Sequence, residues 1–373
     1  MSGNQSEPAT ERERQIYEWI RQNPMISQQE LAQLAGITRS GVAAHISNLT
    51  KKGYVRGKGY ILAPERYVAV VGGVSMDVMG EASRDITQYS SNPGHVHYVI
   101  GGVGRNIAVA LQQLGVTNSF ISVYGDDHNG EQFKIEAANR GMDIAYSQQL
   151  SGSATASYMY INCTDGSRAI ALDDMGIFAH MTPAFLEERL PVITNAEMLV
   201  LDTNLQAEAI EWLCGHVDRP LFARAVSEEK AVRLRNVLAR LEALVLDTAE
   251  SEAISGIKAQ DVDSGIECAR RILEAGVSRV LVGIAGVGMI FGCSEGLWLY
   301  SDSRYVKGNA NGSGDAAMGA LAWAWLEGYD AELQGKCAAA ASFMSCDSIE
   351  SVHEYMDIEA VIEQSGRITT QSL

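Results

Sequence analysis

The sequence predicts an α/β fold of three layers, with helices on both faces of a mostly parallel sheet, a small β lid, and a separate helical module in front. Three observations predict it. From Arg66 onward, short unbroken apolar runs alternate with helical ones (YVAVVGG, RNIAVALQQLG, NSFISVYG, GEQFKIEAANRG), which is how parallel strands buried on both faces read. ATASYMYINCTDGSRAIAL breaks that pattern with two alternating strands around Asp165-Gly166, a hairpin-turn sequence that reads as a projecting lid. Ahead of Pro64 the chain has helical periodicity and then two short β-prone runs around Gly57-Lys58-Gly59. The expected units are residues 1–64 and 65–373, with the lid drawn from about 78–100 and 152–173.

In the first unit, ERERQIYEWIRQNP places Ile16, Tyr17 and Ile20 on one helical face and stops at Pro24. Ser27 followed by Glu30 is a capping-box spacing ahead of LAQLAG, which ends at Gly36. A third helix starts near Thr38, with Val42, Ile46 and Leu49 at helical spacing, and YVRGKGYIL then suits a hairpin wing. Three helices and a hairpin resemble the winged helix-turn-helix, with Thr38 to Lys51 as the recognition helix. The formal net charge of −17 argues against a general affinity for nucleic acid, yet Arg39, Lys51, Lys52, Arg56 and Lys58 fall between Gly36 and Leu62 with no Asp or Glu among them. Arg39, Ser40, His45, Lys51, Lys52, Arg56 and Lys58 are therefore the candidate DNA contacts. An oligomerisation or lid-supporting module is the alternative.

Composition is ordinary globular, 46% hydrophobic and 20% charged, so a packed core is expected over disorder. MSGNQSEPATERERQ has no apolar stretch and no window approaches the roughly 18 apolar residues of a membrane span, so a cytoplasmic chain with no membrane partner is expected. The six cysteines are far apart without ligand spacing, which suits buried thiols.

NANGSGDAAMGALAWAWLEG, Asn309 to Gly328, carries the clearest chemistry. Gly312, Ser313 and Gly314 let the backbone turn tightly and aim several N–H groups at one point, where the following helix also brings its positive end. An anion belongs there, such as a phosphoryl group gathering charge in transit. Asp315 falls in the first turn of that helix, where a carboxylate can take the proton from a substrate hydroxyl attacking an in-line phosphoryl group. The same residues also fit a plain loop with an Asp capping a helix.

From about Arg66 to the C-terminus the chain resembles the ribokinase (PfkB-type) family, whose C-terminal signature is a GxGD loop before a helix. The resemblance implies a ribokinase-like fold, Asp315 as catalytic base, Gly312, Ser313 and Gly314 around the transferred group, and Asn311, Gly312 and Gly314 beside ATP. VVGGVSMD resembles the family's first strand followed by an Asp, which implies Asp77 on sugar hydroxyls. GGVGRNIA resembles the second sugar-binding segment, with Gly101 and Gly102 close to the sugar and Asn106 hydrogen-bonded to it. DTAESE stands where the family has Asn-x-x-Glu, which orders magnesium and phosphate through water. Glu250 matches the acidic residue, while Asp247 replaces the usual Asn and its role stays open. VLVGIAGVGM lies where the family places its ATP-binding strand and loop. The usual Thr and first Gly are Gly283 and Ala285, so only the backbone part of that site, at Gly283 and Gly288, carries over. ATP and Mg²⁺ are the implied cofactors, with a monovalent cation such as K⁺; a homodimer is expected from the need to pair two recognition helices on DNA.

ALDDMGIF, which contains Asp174, then Met181-Thr182-Pro183 and LDTNLQAEAIEWL resemble the pseudouridine kinase branch, as does Asn309 where sugar kinases carry Asp. Ala156, Tyr158 and Tyr160 in the lid suit a nucleobase beside a ribose. The expected reaction is phosphorylation of a ribonucleoside 5′-hydroxyl, pseudouridine first, and the expected partners are that substrate, ATP and DNA. A kinase of a free sugar and a regulator that uses the fold as a ligand sensor stay open. Other nucleotide sites are missing: there is no GxxxxGK[ST], neither GGVGRN nor GIAGVGM completes GxGxxG, and the protein-kinase motifs are absent.

Overall fold

The computed structural model describes residues 10–57, 64, 66–165, 168–302, 311–346, 348 and 350–373. Its N-terminal unit packs α1 (Glu11–Gln22), α2 (Gln28–Ala35) and α3 (Arg39–Lys51) around Ile16, Ile20, Leu31, Val42, Ile46, Leu49 and Val55. The capping box forms: Ser27 Oγ accepts from the Glu30 N–H, and Glu30 accepts from the Ser27 N–H at 2.9 Å. Gly36 then ends α2 in the left-handed conformation. Thr38 caps α3 by accepting from the Gly41 N–H at 3.1 Å. Arg39, Ser40 and Lys51 are exposed on α3 and His45 is half-buried. Lys58 and the wing turn lie outside the described residues.

Two of the proposed DNA contacts are otherwise engaged. Lys52 Nζ donates to buried Glu13 at 2.7 Å, tying the end of α3 to α1. Arg56 is ion-paired with Asp143 and lies over the Tyr146 ring at 5.0 Å, so it faces the α/β unit. Asn195 adds a hydrogen bond to the Lys52 carbonyl at 2.7 Å, and Gly53 lies against the Pro191–Val192 backbone.

The strands of the larger unit are β1 (Val68–Val71), β2 (Ser75–Ala82), β3 (Gly94–Gly101), β4 (Asn118–Ile121), β5 (Val123–Gly125), β6 (Gln148–Leu150), β7 (Ser157–Asn162), β8 (Arg168–Asp174), β9 (Met198–Asp202), β10 (Leu221–Arg224), β11 (Ala243–Asp247), β12 (Arg279–Ile284), β13 (Gly288–Cys293), β14 (Gly296–Ser301) and β15 (Thr369–Ser372). Nine of them form one sheet in the order β15-β14-β13-β12-β11-β10-β9-β1-β4. It is parallel from β4 to β12 and antiparallel beyond. The apolar stretch RVLVGIAGVGMIFG is thus two antiparallel strands. Because successive side chains point to opposite faces, Leu199 and Leu201 join one core while Met198 and Val200 join the other. The helices Ala207–His216 and Val262–Glu274 cover the first face; α4 (Val103–Gln113), Ser313–Leu326 and Ala331–Cys346 cover the second. Among the described residues no helix is long and apolar enough to cross a membrane.

A second sheet, β3-β2-β7-β8, stands apart. Its register aligns Asp77 with Tyr158 and Tyr158 with Asp173 in one row across three strands. The opposite face carries exposed Tyr98, Met159, Ile161, Ile170 and Leu172. Gly166, at the expected hairpin turn, lies outside the described residues.

Candidate active site

Three neighbouring parallel strands end their apolar runs on charged residues: β9 on Asp202, β10 on Arg224 and β11 on Asp247. The carboxyl ends of parallel strands are where an open α/β sheet gathers its ligands. A cavity of about 410 Å³ opens there, lined among others by Asp77, Asn106, Tyr158, Asp173, Arg224, Asp247, Glu250, Asn311, Gly312 and Asp315.

Asp315 sits in the first turn of Ser313–Leu326, its N–H donating to the Gly312 carbonyl at 3.0 Å. Gly312 is left-handed (φ 85°), and a Cβ there would drive into the Ser351 carbonyl, so this turn requires glycine. Asn106 Nδ2 donates to Asp315 Oδ2 at 2.9 Å, while its own Oδ1 accepts from Arg105 at 3.0 Å. Arg105 is buried and ion-paired with Glu136, which fixes the orientation of the Asn106 amide. Burial pushes the Asp315 carboxyl up to about 6, against the opposing pull of Arg224 and the Asn106 hydrogen bond. That places the group in the range where a general base works near neutral pH.

Asp77, also buried, accepts from Ser75 Oγ at 2.8 Å and from Asn311 Nδ2 at 3.1 Å, and burial raises its carboxyl above the ordinary range. Gly101 lies directly against this carboxylate. Gly102 is left-handed (φ 96°) and presses on the Gly73–Ser75 backbone, so it sets where α4, and with it Asn106, begins.

The structure separates other predicted residues from this cluster. Asp173 lines the cavity and Asp174 does not, because neighbours in a strand point to opposite faces and Asp173 shares the row of Tyr158 and Asp77. Lys230 joins Asp173 at 3.0 Å and Asn204 at 3.1 Å. Gly283 pairs with Asp247 across β11 and β12 and leaves room for its carboxylate. Gly288 packs on the Tyr300 carbonyl of β14; neither glycine lines the cavity.

Asp247 is the partner of Arg224, at 2.6 Å, which gives a physical reason for the carboxylate at that position. Glu250 accepts from the Asp247 N–H at 2.7 Å and lies 3.9 Å from Arg224, with burial raising its carboxyl. Among the described residues no group of three or more metal-ligating side chains is preassembled. Sequence reasoning missed Arg224 and Asp202. Asp202 is fully buried and accepts from the N–H groups of Gly73 (2.8 Å), Gly104 (2.7 Å) and Asn204 (2.8 Å), joining the loop after β1, the start of α4 and the end of β9. The pattern that could have found both is a charged residue closing an apolar strand.

A loop of glycines under a helix N-terminus, with a buried Asp beside it, is the geometry of phosphoryl transfer to a hydroxyl. Residues 65–353 match the pfkB family of carbohydrate kinases. The chain belongs to that family. Residues 10–56 match the winged helix-turn-helix DNA-binding family. Among curated relatives, the uncharacterized sugar kinase YeiI of Escherichia coli is 34% identical over 90% of this chain and 93% of its own length. Pseudouridine kinase of the same organism is 29% identical, over 70% of this chain and 84% of its own length. Of solved structures, a carbohydrate kinase from Agrobacterium tumefaciens superposes with a TM-score of 0.69 at 25% identity, covering 83% of this chain and all of that one (100%). The chain is thus a pfkB kinase of the sugar and nucleoside class with an N-terminal winged helix-turn-helix, and this membership implies ATP as phosphoryl donor.

Proposed function

We propose that this kinase phosphorylates the 5′-hydroxyl of a ribonucleoside, converting pseudouridine to pseudouridine 5′-phosphate, with Asp315 as general base. The observation that carries the reading is the placement of Asp315 beside the glycine turn and hydrogen-bonded to Asn106, with Asp77 lining the same cavity. The hydroxyl gives its proton to Asp315 as its oxygen attacks the γ-phosphorus; the bond to the β-phosphate oxygen breaks and ADP leaves. Asp77 and Asn106 orient the ribose, and Tyr158 supplies an aromatic wall for the base. Asp247 and Glu250 fit the outer support of a magnesium ion, which keeps several waters and rests on one or two carboxylates and the phosphates. Magnesium would neutralise phosphate charge there. A monovalent ion such as K⁺ belongs to the same expectation.

The relative at 34% identity is named a sugar kinase, which favours a free sugar as the second reading. ADP release with ATP, magnesium and a panel of nucleosides and sugars decides between them: pseudouridine should turn over fastest, and a clear preference for a free sugar would overturn the nucleoside. Asp77→Ala should raise KM for the ribose-bearing substrate far more than KM for ATP, since a lost buried polar partner costs about 1–3 kcal/mol. Equal changes in both constants would remove Asp77 from the sugar site.

The N-terminal unit is proposed to bind DNA through Arg39, Ser40, His45 and Lys51, in a homodimer that presents two recognition helices. The apolar outer face of the lid, with Tyr98, Met159 and Leu172, suits cover by a second copy. In electrophoretic shifts with promoter-proximal DNA from the chain's own operon, Arg39→Ala and Lys51→Ala should weaken full-length binding, which itself falls steeply with salt. Arg56→Ala should act only through the domain contact, because Arg56 faces Asp143. No binding at low salt would make the unit a structural module.

A further inference from the structure

We propose that Arg224, at the end of β10, is a catalytic residue that contacts the phosphoryl group in transit. The proposal rests on the kinase reading and adds to it a group that none of the family's motifs in this sequence contains. The Arg224 guanidinium lies flat against Gly314: a Cβ on that glycine would stand 2.7 Å from its Cζ. It therefore occupies the rim of the glycine turn at the N-terminus of Ser313–Leu326, where the sequence expects an anion. Its Nε is 3.4 Å from Asp315 Oδ1, yet this buried donor has no hydrogen-bond partner. A spare donor of that kind costs stability unless a ligand uses it.

The charge balance points the same way. The guanidinium is surrounded by Asp247 at 2.6 Å, Asp315 at 3.4 Å and Glu250 at 3.9 Å. With Asp247 and Glu250 also placed to support magnesium, Arg224 is the protein's own cation on the Asp315 side of the cavity. The other basic residues lining the cavity are engaged elsewhere: Arg168 bonds the Tyr158 hydroxyl at 2.8 Å, and Lys230 bonds Asp173 and Asn204. Arg224 is the lining cation on the glycine-turn side. As the hydroxyl oxygen bonds to the γ-phosphorus, its proton passes to Asp315 and the electron pair of the breaking bond goes to ADP. The charge on the equatorial phosphoryl oxygens is met by the turn's N–H groups and by Arg224, while Asp247 keeps the fork aimed.

The test is calorimetric binding of the β,γ-imido analogue of ATP and of ADP, with magnesium, to wild type, Arg224→Met and Arg224→Lys. A group that touches the γ-phosphoryl favours the triphosphate over the diphosphate. The Met variant should lose that preference by about tenfold or more, and the Lys variant should keep part of it. With substrate, kcat of the Met variant should fall by about 10²- to 10³-fold while KM for the accepting substrate changes little. An unchanged triphosphate-to-diphosphate ratio would overturn the proposal, whereas a structural role would weaken both nucleotides alike. The Lys variant decides the ratio if the Met variant does not fold. The ratio needs no turnover, so absence of activity on every nucleoside would sink the substrate reading and leave this proposal decided on its own.

Discussion

Asp315→Asn is expected to lower kcat by about 10²- to 10⁴-fold with ATP binding nearly intact, the range a general base contributes. The amide can still accept from Asn106 Nδ2, so the local geometry survives while the basic oxygen is lost. Steady-state kinetics beside calorimetric ATP binding check this, and retention of more than half the activity would dismiss Asp315 as the base. The unsubstituted enzyme supplies an independent check. Its carboxyl is raised to about 6, so the base form is present above that pH and is lost as pH falls through it. A pH profile of kcat/KM should therefore drop toward tenfold per unit on the acid side. A flat profile down to pH 4.5 would mean that no group with this property takes the proton.

Asp202→Ala is expected to be the most destabilising single change in the active-site scaffold. It would leave three buried backbone N–H groups, those of Gly73, Gly104 and Asn204, without an acceptor. Each orphaned donor costs about 1–3 kcal/mol, so the sum is a large part of a typical domain's stability. Urea unfolding should show a midpoint shift of that scale, with Asp202→Asn recovering part of it through its remaining carbonyl oxygen. A loss of less than about 1 kcal/mol for the alanine variant would mean that water replaces the carboxylate. Activity should fall as well, because Gly104 sits two residues ahead of Asn106 in α4 and the loop at Gly73 precedes Asp77.

The α/β layering was legible because it is written in long apolar runs, and the glycine turn because its residue types admit few other uses. What stayed hidden depends on pairing across strands. Asp173 and Asp174 are indistinguishable in sequence, and only the register with Tyr158 turns one inward. Asp247 looked like a departure from the family's Asn until Arg224 appeared on the neighbouring strand, 23 residues away in the chain. The basic residues after Gly36 read as one positive stretch, since a count of charges is blind to Glu13 beneath Lys52 and to Asp143 opposite Arg56.

The seating of the N-terminal unit has a consequence for genetics as much as for chemistry. Arg56, the Lys52 carbonyl and Gly53 lie against the kinase at Asp143, Asn195 and the Pro191–Val192 backbone, and while those contacts hold, α3 moves with the enzyme. If two chains pair, the gap between their recognition helices is dictated by how the enzymes meet, and DNA accepts such helices only at multiples of about 34 Å. Operator spacing would then be a ruler for the enzyme's own assembly. A mutation at the enzyme's pairing surface, far from any base pair, could silence a promoter without touching either active site.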